Sequence, residues 1–475
     1  MTDLWTAEDI LRAVQGRSLH AQEWTANGVS IDSRTTKPGD LFIAIKGPSL
    51  DGHAFVHKAF EAGAAAAIVD SQPPQVSPDS PLIFVEDTFT ALQDLGRAGR
   101  ARTKASIVAV TGSVGKTSSK EQLRLMLGAN DATYATQGSL NNQWGVPLSL
   151  SRLPETARYG VFEIGMNHAG ELGPLSREVK PQVTLITNIE AVHLEYFETT
   201  EAIADAKAEI FEGMETNGTV VLNRDTAHYD RLHAAAKAHG LKKILSFGRH
   251  PKSDARLVSL RSDDLGTTVE AVILGDKLSY RLTAPGEHLA FNALGTLLTC
   301  AALGANLTLC IDALTDYRPP EGRGTRQIVQ IDDERSLTLI DESFNASPVS
   351  TKAAINVLGR MKPQGEGRRI LALGDMRELG PTAVALHTGL AETIFENNID
   401  LVYCCGELMA HLHALLPTTM QGKLREDSEA LAACLIDDLR DGDILMIKGS
   451  HGMHMEKIIH ALHETRNKTQ NKRAS

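Results

Sequence analysis

Thr111-Gly112-Ser113-Val114-Gly115-Lys116-Thr117-Ser118 follows the apolar run Ile107-Val108-Ala109-Val110 and opens a segment of helical pattern. Strand, glycine-rich turn and helix in that order are the setting of a phosphate-binding loop. Glycines let backbone N–H groups approach phosphate oxygens, and a helix N-terminus adds favourable partial charge. In this reading Gly112, Ser113, Val114, Gly115, Lys116, Thr117 and Ser118 wrap the phosphates of a nucleotide. The Lys116 ammonium neutralises the outer phosphates, and the Thr117 hydroxyl sits on Mg2+. Val110 stands where the general pattern has its first glycine, so the loop is a variant of that pattern.

Around the loop the same texture repeats. Tyr159–Ile164, Val183–Thr187 and Thr219–Leu222 are short apolar runs separated by helical segments. That alternation predicts a parallel sheet covered on both faces. Residues 255–283 alternate apolar and polar with Gly-Asp turns, as an antiparallel meander does, and a helix is predicted from Leu289 to Leu303. Upstream, the turn Pro38-Gly39-Asp40 precedes a buried strand at Leu41–Ile45. A small-residue helix is predicted at Ala59–Ala67, and the Pro-rich stretch Pro73–Pro81 reads as a loop. Beyond the break Arg318-Pro319-Pro320-Glu321-Gly322, strands at Leu337–Ile340, Ile370–Leu373, Leu401–Cys404 and Ile444–Ile447 alternate with amphipathic helices. This second unit is Rossmann-like, without the GxGxxG fingerprint of dinucleotide binding. The fold class is therefore α/β in three domains, with boundaries expected at 1–88, 89–315 and 316–475. A central phosphate-loop domain with a parallel sheet is flanked by an N-terminal domain and a C-terminal Rossmann-like one.

Bulk properties agree with this organisation. A chain of 475 residues, 42% hydrophobic and 23% charged, has room for several separate cores. Cys300, Cys310, Cys404, Cys405 and Cys434 are an odd set without a CxxC pair, which argues against a disulfide framework and a zinc site. No basic segment followed by an apolar run opens the chain, and no stretch has the ~18 apolar residues of a membrane span. The expectation is a cytoplasmic protein without membrane insertion. A net charge of −11 argues against a nucleic-acid partner, and the basic segment 466–475 reads as a frayed tail.

Three further residues are candidates by position. Glu163 ends a strand, where carboxylates face the ligand crevice of a parallel sheet, and Mg2+ takes such hard oxygens. On spacing alone it is equally a solvated strand-end carboxylate. His193 follows another strand and could reach the same crevice, though a lone histidine is more often structural than a ligand. Lys207, in Ala206-Lys207-Ala208-Glu209-Ile210-Phe211, reads alone as a solvated helix lysine.

The motifs taken together resemble the Mur ligases. The phosphate loop, Leu140-Asn141-Asn142 with Gly145-Val146-Pro147, Glu163-Ile164-Gly165-Met166-Asn167-His168, Thr187-Asn188-Ile189 with His193-Leu194-Glu195, and the segment around Lys207 look like their central domain. Asp32-Ser33-Arg34, Pro38-Gly39-Asp40-Leu41-Phe42 and Asp51-Gly52-His53 are similar to their N-terminal domain. Leu373-Gly374-Asp375-Met376-Arg377-Glu378-Leu379-Gly380 is most similar to the branch that adds D-alanyl-D-alanine to UDP-N-acetylmuramoyl-tripeptide. The resemblance implies ATP as cofactor and two Mg2+ sites, with Thr117, Glu163, His193 and a carbamoylated Lys207 as metal residues. It implies catalytic roles for Lys116, Lys207 and His193, and nucleotide contacts for Asn292, Arg323 and Asp341. Ser33 and Arg34 would receive the UDP part; Asn141, Asn142, Asn345 and Ser347 would also meet substrate. It implies a ligase working through an acyl phosphate, acting as a monomer, with three domains bringing one substrate each.

Some positions depart from the family pattern. Glu342 and Phe344 stand for Asp and Tyr, Ser347 for a second Asn, Leu289 follows His288 where Asn is usual, and His451 stands for Arg. These cluster where the incoming amine is expected. Rival readings are a Mur-type ligase adding a diamino acid, a folylpolyglutamate synthase, and a P-loop kinase or GTPase. Thr187-Asn188-Ile189-Glu190 lacks the Lys of a guanine-reading Asn-Lys-x-Asp run.

Overall fold

The structure, a computed structural model, describes residues 3–19, 23–191, 194–263, 266–284 and 286–474, the last nine of these by backbone only. Among the described residues the chain forms three main sheets along its length. The first has five strands in the order Arg17–Ser18, Leu82–Phe84, Ala66–Val69, Asp40–Ile43 and Gly28–Ser30, parallel except for the first pair. The helix predicted at Ala59–Ala67 is instead Val56–Glu61. Gly63 then turns the chain at φ +92°, and Ala66 and Ala67 open the strand Ala66–Val69. Small residues tolerate either state, and the glycine turn with β-branched Ile68 and Val69 decides it.

The central sheet has nine strands. Six run in parallel in the order Thr133–Ala135, Tyr159–Glu163, Ser106–Thr111, Val183–Ile186, Thr219–Asn223 and Lys243–Gly248. Ala255–Asp263 continues in parallel, and Gly266–Ile273 and Asp276–Leu282 complete the expected meander antiparallel. Ile107, Val108, Ala109 and Val110 are all fully buried, because helices cover both faces of the sheet. Such residues each contribute roughly 1.5–3 kcal/mol for the large aliphatic side chains, which is why a continuous apolar run, not an alternating one, marks this strand. The helix Glu287–Ala302 packs across one face against Lys116–Gly128.

The third sheet carries six strands in the order Thr325–Gln330, Ser336–Glu342, Ile444–Lys448, Arg369–Gly374, Leu401–Cys405 and Gln421–Arg425. Only the first pair is antiparallel. All five cysteines are free thiols, and four of them are buried. No helix among the described residues is long and apolar enough to cross a membrane.

What matters for the site is the central register. Strand Ser106–Thr111 lies between Tyr159–Glu163 and Val183–Ile186, with Val110 opposite Glu163 and Thr111 opposite Ile186. From Ser106–Thr111 the chain crosses to strands on one side and then to the other, so a crevice opens beyond these three carboxyl ends.

Candidate active site

The loop between Thr111 and the helix Lys116–Gly128 is shaped by two glycines. Gly112 has φ +150° and Gly115 has φ +85°, conformations that side-chain-bearing residues rarely take. A Cβ on Gly112 would collide with Thr187 Oγ1, and one on Gly115 would lie 2.8 Å from Asn292 Oδ1. So the predicted nucleotide residue Asn292, on the helix Glu287–Ala302, packs directly against the loop. The segment after Val183–Ile186 braces the loop from the other side. Thr187 Oγ1 donates to Val114 O at 2.6 Å, Ser113 N to Asn188 O at 2.8 Å, and Ser113 Oγ to Glu190 O at 3.1 Å. Thr117 and Ser118 are buried in the first turn of the helix, whose leading N–H groups have no partner within the helix.

Lys116 arches back over the loop and donates to Gly112 O at 2.7 Å. Burial lowers its pKa, nearby Glu163 opposes that, and Arg323 adds to the lowering. Arg323, just past the Arg318–Gly322 break, is thus within electrostatic range of the phosphate-loop lysine. Its guanidinium lies 4.0 Å from the centre of the Phe344 ring and donates no hydrogen bond to a described side chain or carbonyl. Burial pushes its pKa down, partly offset by Glu163 and Glu342. Neither cation has an ion-paired carboxylate among the described residues, and the two lie within electrostatic range of each other, with Lys116 at the first residue of a helix. That arrangement suits a polyphosphate.

Glu163 is 1% exposed. Its Oε1 accepts from Asn141 Nδ2 at 2.8 Å, while its Oε2 is buried with no partner. A buried carboxylate oxygen left unpaired is costly unless a ligand meets it. The donor is a hard oxygen near a phosphate site, which fits Mg2+. Lys207 lies at the end of the helix Thr200–Ala208 and is 2% exposed, so the solvated-lysine reading fails. Its carbonyl accepts from Glu209 N, but its amine makes no hydrogen bond or ion pair with a described residue. Burial first, and Lys116 second, hold its pKa well below the ordinary lysine range. His193 lies outside the described residues. Among the described residues no three His, Cys, Asp or Glu side chains gather as a metal cage. Mg2+ commonly takes only one or two carboxylates beside substrate phosphates.

The remaining predicted residues divide. Asn141, predicted to meet substrate, orients Glu163, and its carbonyl accepts from Gly165 N at 2.8 Å. Asn142 spends its side-chain oxygen on Trp144 N and Gly145 N, at 3.2 and 3.0 Å, before the helix Gly145–Ser151. Asp341 is tied to the turn that leads into Arg323. Its Oδ2 accepts from Gly322 N at 2.9 Å and its Oδ1 from Ser343 N and Oγ at 3.0 and 2.6 Å, so it fixes the turn that carries Arg323. Ser347 caps the helix Pro348–Arg360 in a capping box with Ser350. Asn345 is exposed, with its carbonyl 3.0 Å from Lys448 Nζ, which also pairs with Glu342 at 2.9 Å. Arg34 is exposed and forms a forked pair with Asp32, next to half-buried Ser33. The N-terminal region docks on the helix after Asn142. Arg152 Nε donates to Val29 O of the first sheet at 2.6 Å. Trp5 Nε1, of the separate strand pair Trp5–Thr6 and Thr25–Ala26, donates to Ser151 O at 2.8 Å.

Sequence reasoning passed over Thr187 as a loop brace and Phe344 as the platform under Arg323. Phe344 and His451, both departures from the family pattern, are neighbours with ring centres 5.5 Å apart. Their joint departure in the sequence was the available signal.

Comparison with known proteins agrees along the chain. Residues 25–99 match the model of the Mur ligase family catalytic domain, 110–300 that of the Mur ligase middle domain, and 327–451 that of the Mur ligase glutamate ligase domain. The UDP-N-acetylmuramoyl-tripeptide–D-alanyl-D-alanine ligase of Rickettsia prowazekii is 33% identical over 91% of this chain and 94% of that protein. The ligase of the same name from Escherichia coli K12 is 32% identical, covering 94% and 96%. A crystal structure of MurF from Acinetobacter baumannii superposes with a TM-score of 0.82 at 29% identity, covering 97% of this chain and 99% of that one.

Proposed function

This chain belongs to the Mur ligase family, and we propose that it joins D-alanyl-D-alanine to UDP-N-acetylmuramoyl-tripeptide at the expense of ATP, in assembly of the peptidoglycan precursor. One observation carries the reading. The unpaired cations Lys116 and Arg323 stand beside a buried carboxylate, Glu163, that keeps one oxygen free. Those are the needs of phosphoryl transfer between two anions.

A carboxylate is a poor acyl donor. Its oxygen takes the γ-phosphoryl group as ADP leaves, giving an acyl phosphate. The amine of D-alanyl-D-alanine then attacks the acyl carbon, phosphate departs with the C–O electron pair, and the amine releases a proton. Lys116 and Arg323 offset repulsion between ATP and the substrate carboxylate, and Asn292, packed against Gly115, would meet adenine. Thr117, Glu163, His193 and Lys207 would hold Mg2+ in two sites, and Mg2+ supplies charge neutralisation between the anions. Lys207 suits carbamoylation, because its lowered pKa favours the neutral amine. The amine nitrogen bonds to the carbon of CO2, one C=O bond opens to an oxyanion, and the nitrogen loses a proton. A cationic side chain thereby becomes an anionic oxygen ligand.

In this reading residues 1–88 receive the UDP part through Ser33 and Arg34, 89–315 hold ATP, and 316–475 bring the amine past Asn345. Closure of the third part excludes water from the acyl phosphate. The same reading assigns the reaction to the cytoplasm and to a monomer. Purified protein with ATP, Mg2+, the UDP-muramoyl tripeptide and D-alanyl-D-alanine is expected to release phosphate and yield the pentapeptide mass. Stimulation by a diamino acid but not by D-alanyl-D-alanine would sink this assignment, as would full-rate hydrolysis without any amine.

A further inference from the structure

Lys120 lies one turn beyond Lys116 on the phosphate-loop helix, and it is fully buried. Its Nζ donates to Thr136 O at 2.8 Å and Gly138 O at 3.0 Å, and pairs with Glu121 Oε1 at 2.8 Å. An ammonium has three N–H donors, and these three acceptors use them all. Glu121 is itself held by Arg124 at 2.7 Å. Against the upward push of burial, its bonds to Lys120 and Arg124 keep its pKa below the ordinary range.

The two carbonyls belong to the segment that leaves the edge strand Thr133–Ala135 and reaches Asn141 a few residues later. This stretch has no regular structure, and Gly138 turns in it at φ +54°. Fixing an irregular backbone costs roughly 1–2 kcal/mol per residue in lost entropy, so specific bonds must hold it. At its end Asn141 grips Glu163 Oε1 and Gly165 N.

We propose that Lys120 is a positioning residue that fixes the Thr136–Asn141 segment and, through Asn141, aims Glu163 Oε2 at a bound divalent cation. The proposal rests on the ligase reading above. A lysine serving stability alone would leave cation affinity untouched, whereas a positioning lysine changes it through the ligand it orients. Groups that orient metal ligands typically change metal affinity by about 10–100-fold when removed.

The test is binding of ADP to the full-length protein by calorimetry, titrated with MgCl2 and repeated in EDTA, without turnover. Lys120→Met, at a temperature where it is folded, is expected to raise the Mg2+ midpoint about 10-fold or more and to leave ADP binding in EDTA within about twofold. Asn141→Ala is expected to shift the midpoint likewise. The double variant should shift no further than the larger single one, since both act in one chain of contacts. If Lys120→Met does not fold, Lys120→Arg replaces it, since a planar fork cannot reproduce the three-way ammonium geometry. An unchanged Mg2+ midpoint, additive shifts, or equal loss in EDTA overturns the proposal. Absence of Mg2+-dependent ADP binding by the unaltered protein would instead overturn the ligase reading.

Discussion

Two regions of the central sheet each bury a lysine, and they treat it in opposite ways. Beneath the phosphate-loop helix, Lys120 meets a carboxylate and two carbonyls. At the end of Thr200–Ala208, Lys207 is buried almost as completely and meets nothing that accepts a hydrogen bond among the described residues. Desolvation of an ammonium costs several kcal/mol in either place. Around Lys120 the fold offsets that cost with partners. Around Lys207 it lowers the pKa instead, with Lys116 adding to the effect of burial. Burial alone thus says little about a lysine's task, and its partners say a great deal. A satisfied lysine holds structure, while an unsatisfied one is kept for chemistry.

The largest expected effects come from breaking this contrast. Lys207→Met removes the residue proposed to become a metal ligand, and kcat is expected to fall by about 10^3-fold or more, the scale of losing a main electrostatic contributor. Stability should move the other way. The folded pKa of Lys207 is depressed, so between that value and the ordinary lysine range the unfolded chain binds more protons. The wild-type protein therefore loses stability as pH falls through that window, by up to about 1.4 kcal/mol per pH unit. Lys207→Met should lack that slope and unfold at higher urea concentration at neutral pH. A lower midpoint than wild type would mean that Lys207 is better satisfied than its surroundings indicate. Lys120→Met should have the opposite sign, destabilising by about 1–3 kcal/mol as the buried Thr136 O loses its donor, and Gly138 O with it, while Glu121 keeps Arg124. Equal signs for the two variants would break the comparison.

A smaller effect sharpens it. Carbamate formation needs the neutral amine, whose share grows as pH rises toward the lowered Lys207 value. Enzyme stripped of CO2 is expected to regain activity on adding bicarbonate, and to regain more as pH rises and more of the amine is neutral. Lys207→Met should not respond. A bicarbonate response that survives in the variant would remove the carbamate from the mechanism.

Much of this was legible in the residues. The run Ile107–Val110 followed by Gly112, Gly115 and Lys116 carries its own physics, and the sheet order around it obeys the rules of parallel α/β folds. Long-range satisfaction was not legible. Nothing near Lys207 in the sequence says that its amine lacks an acceptor, and nothing near Lys120 says that carbonyls 16 and 18 residues away will meet it. The same blindness hid the bonds from Gly322 and Ser343 to Asp341 that shape the turn before Arg323. At Ala59–Ala67 the failure was local, since alanines leave helix and strand close in energy and Gly63 decides. Phosphate loops are written in consecutive residues, whereas pairing inside a core is written by the fold.

Ser347 carries the contrast down to its smallest scale. The family pattern implies substrate contact, yet its hydroxyl already accepts from Ser350 N at 3.3 Å, and Ser350 Oγ accepts in return from Ser347 N at 2.9 Å. A hydroxyl committed to a helix start resembles Lys120 more than Lys207: its bonds are made before substrate arrives. Loss of such a cap costs about 0.5–2 kcal/mol. Ser347→Ala is therefore expected to lower the urea midpoint modestly and leave the KM for D-alanyl-D-alanine within twofold. Asn345, exposed beside it, has Oδ1 on Ala346 N at 2.9 Å but an amide Nδ2 with no bond to a described residue. It is therefore the better candidate for touching the amine, and Asn345→Ala should raise that KM more than it moves the midpoint. If Ser347→Ala raises the KM tenfold and leaves the midpoint unmoved, its hydroxyl leaves the cap when substrate binds. Partners counted in the free protein would then no longer separate structural groups from chemical ones in the third sheet's loops.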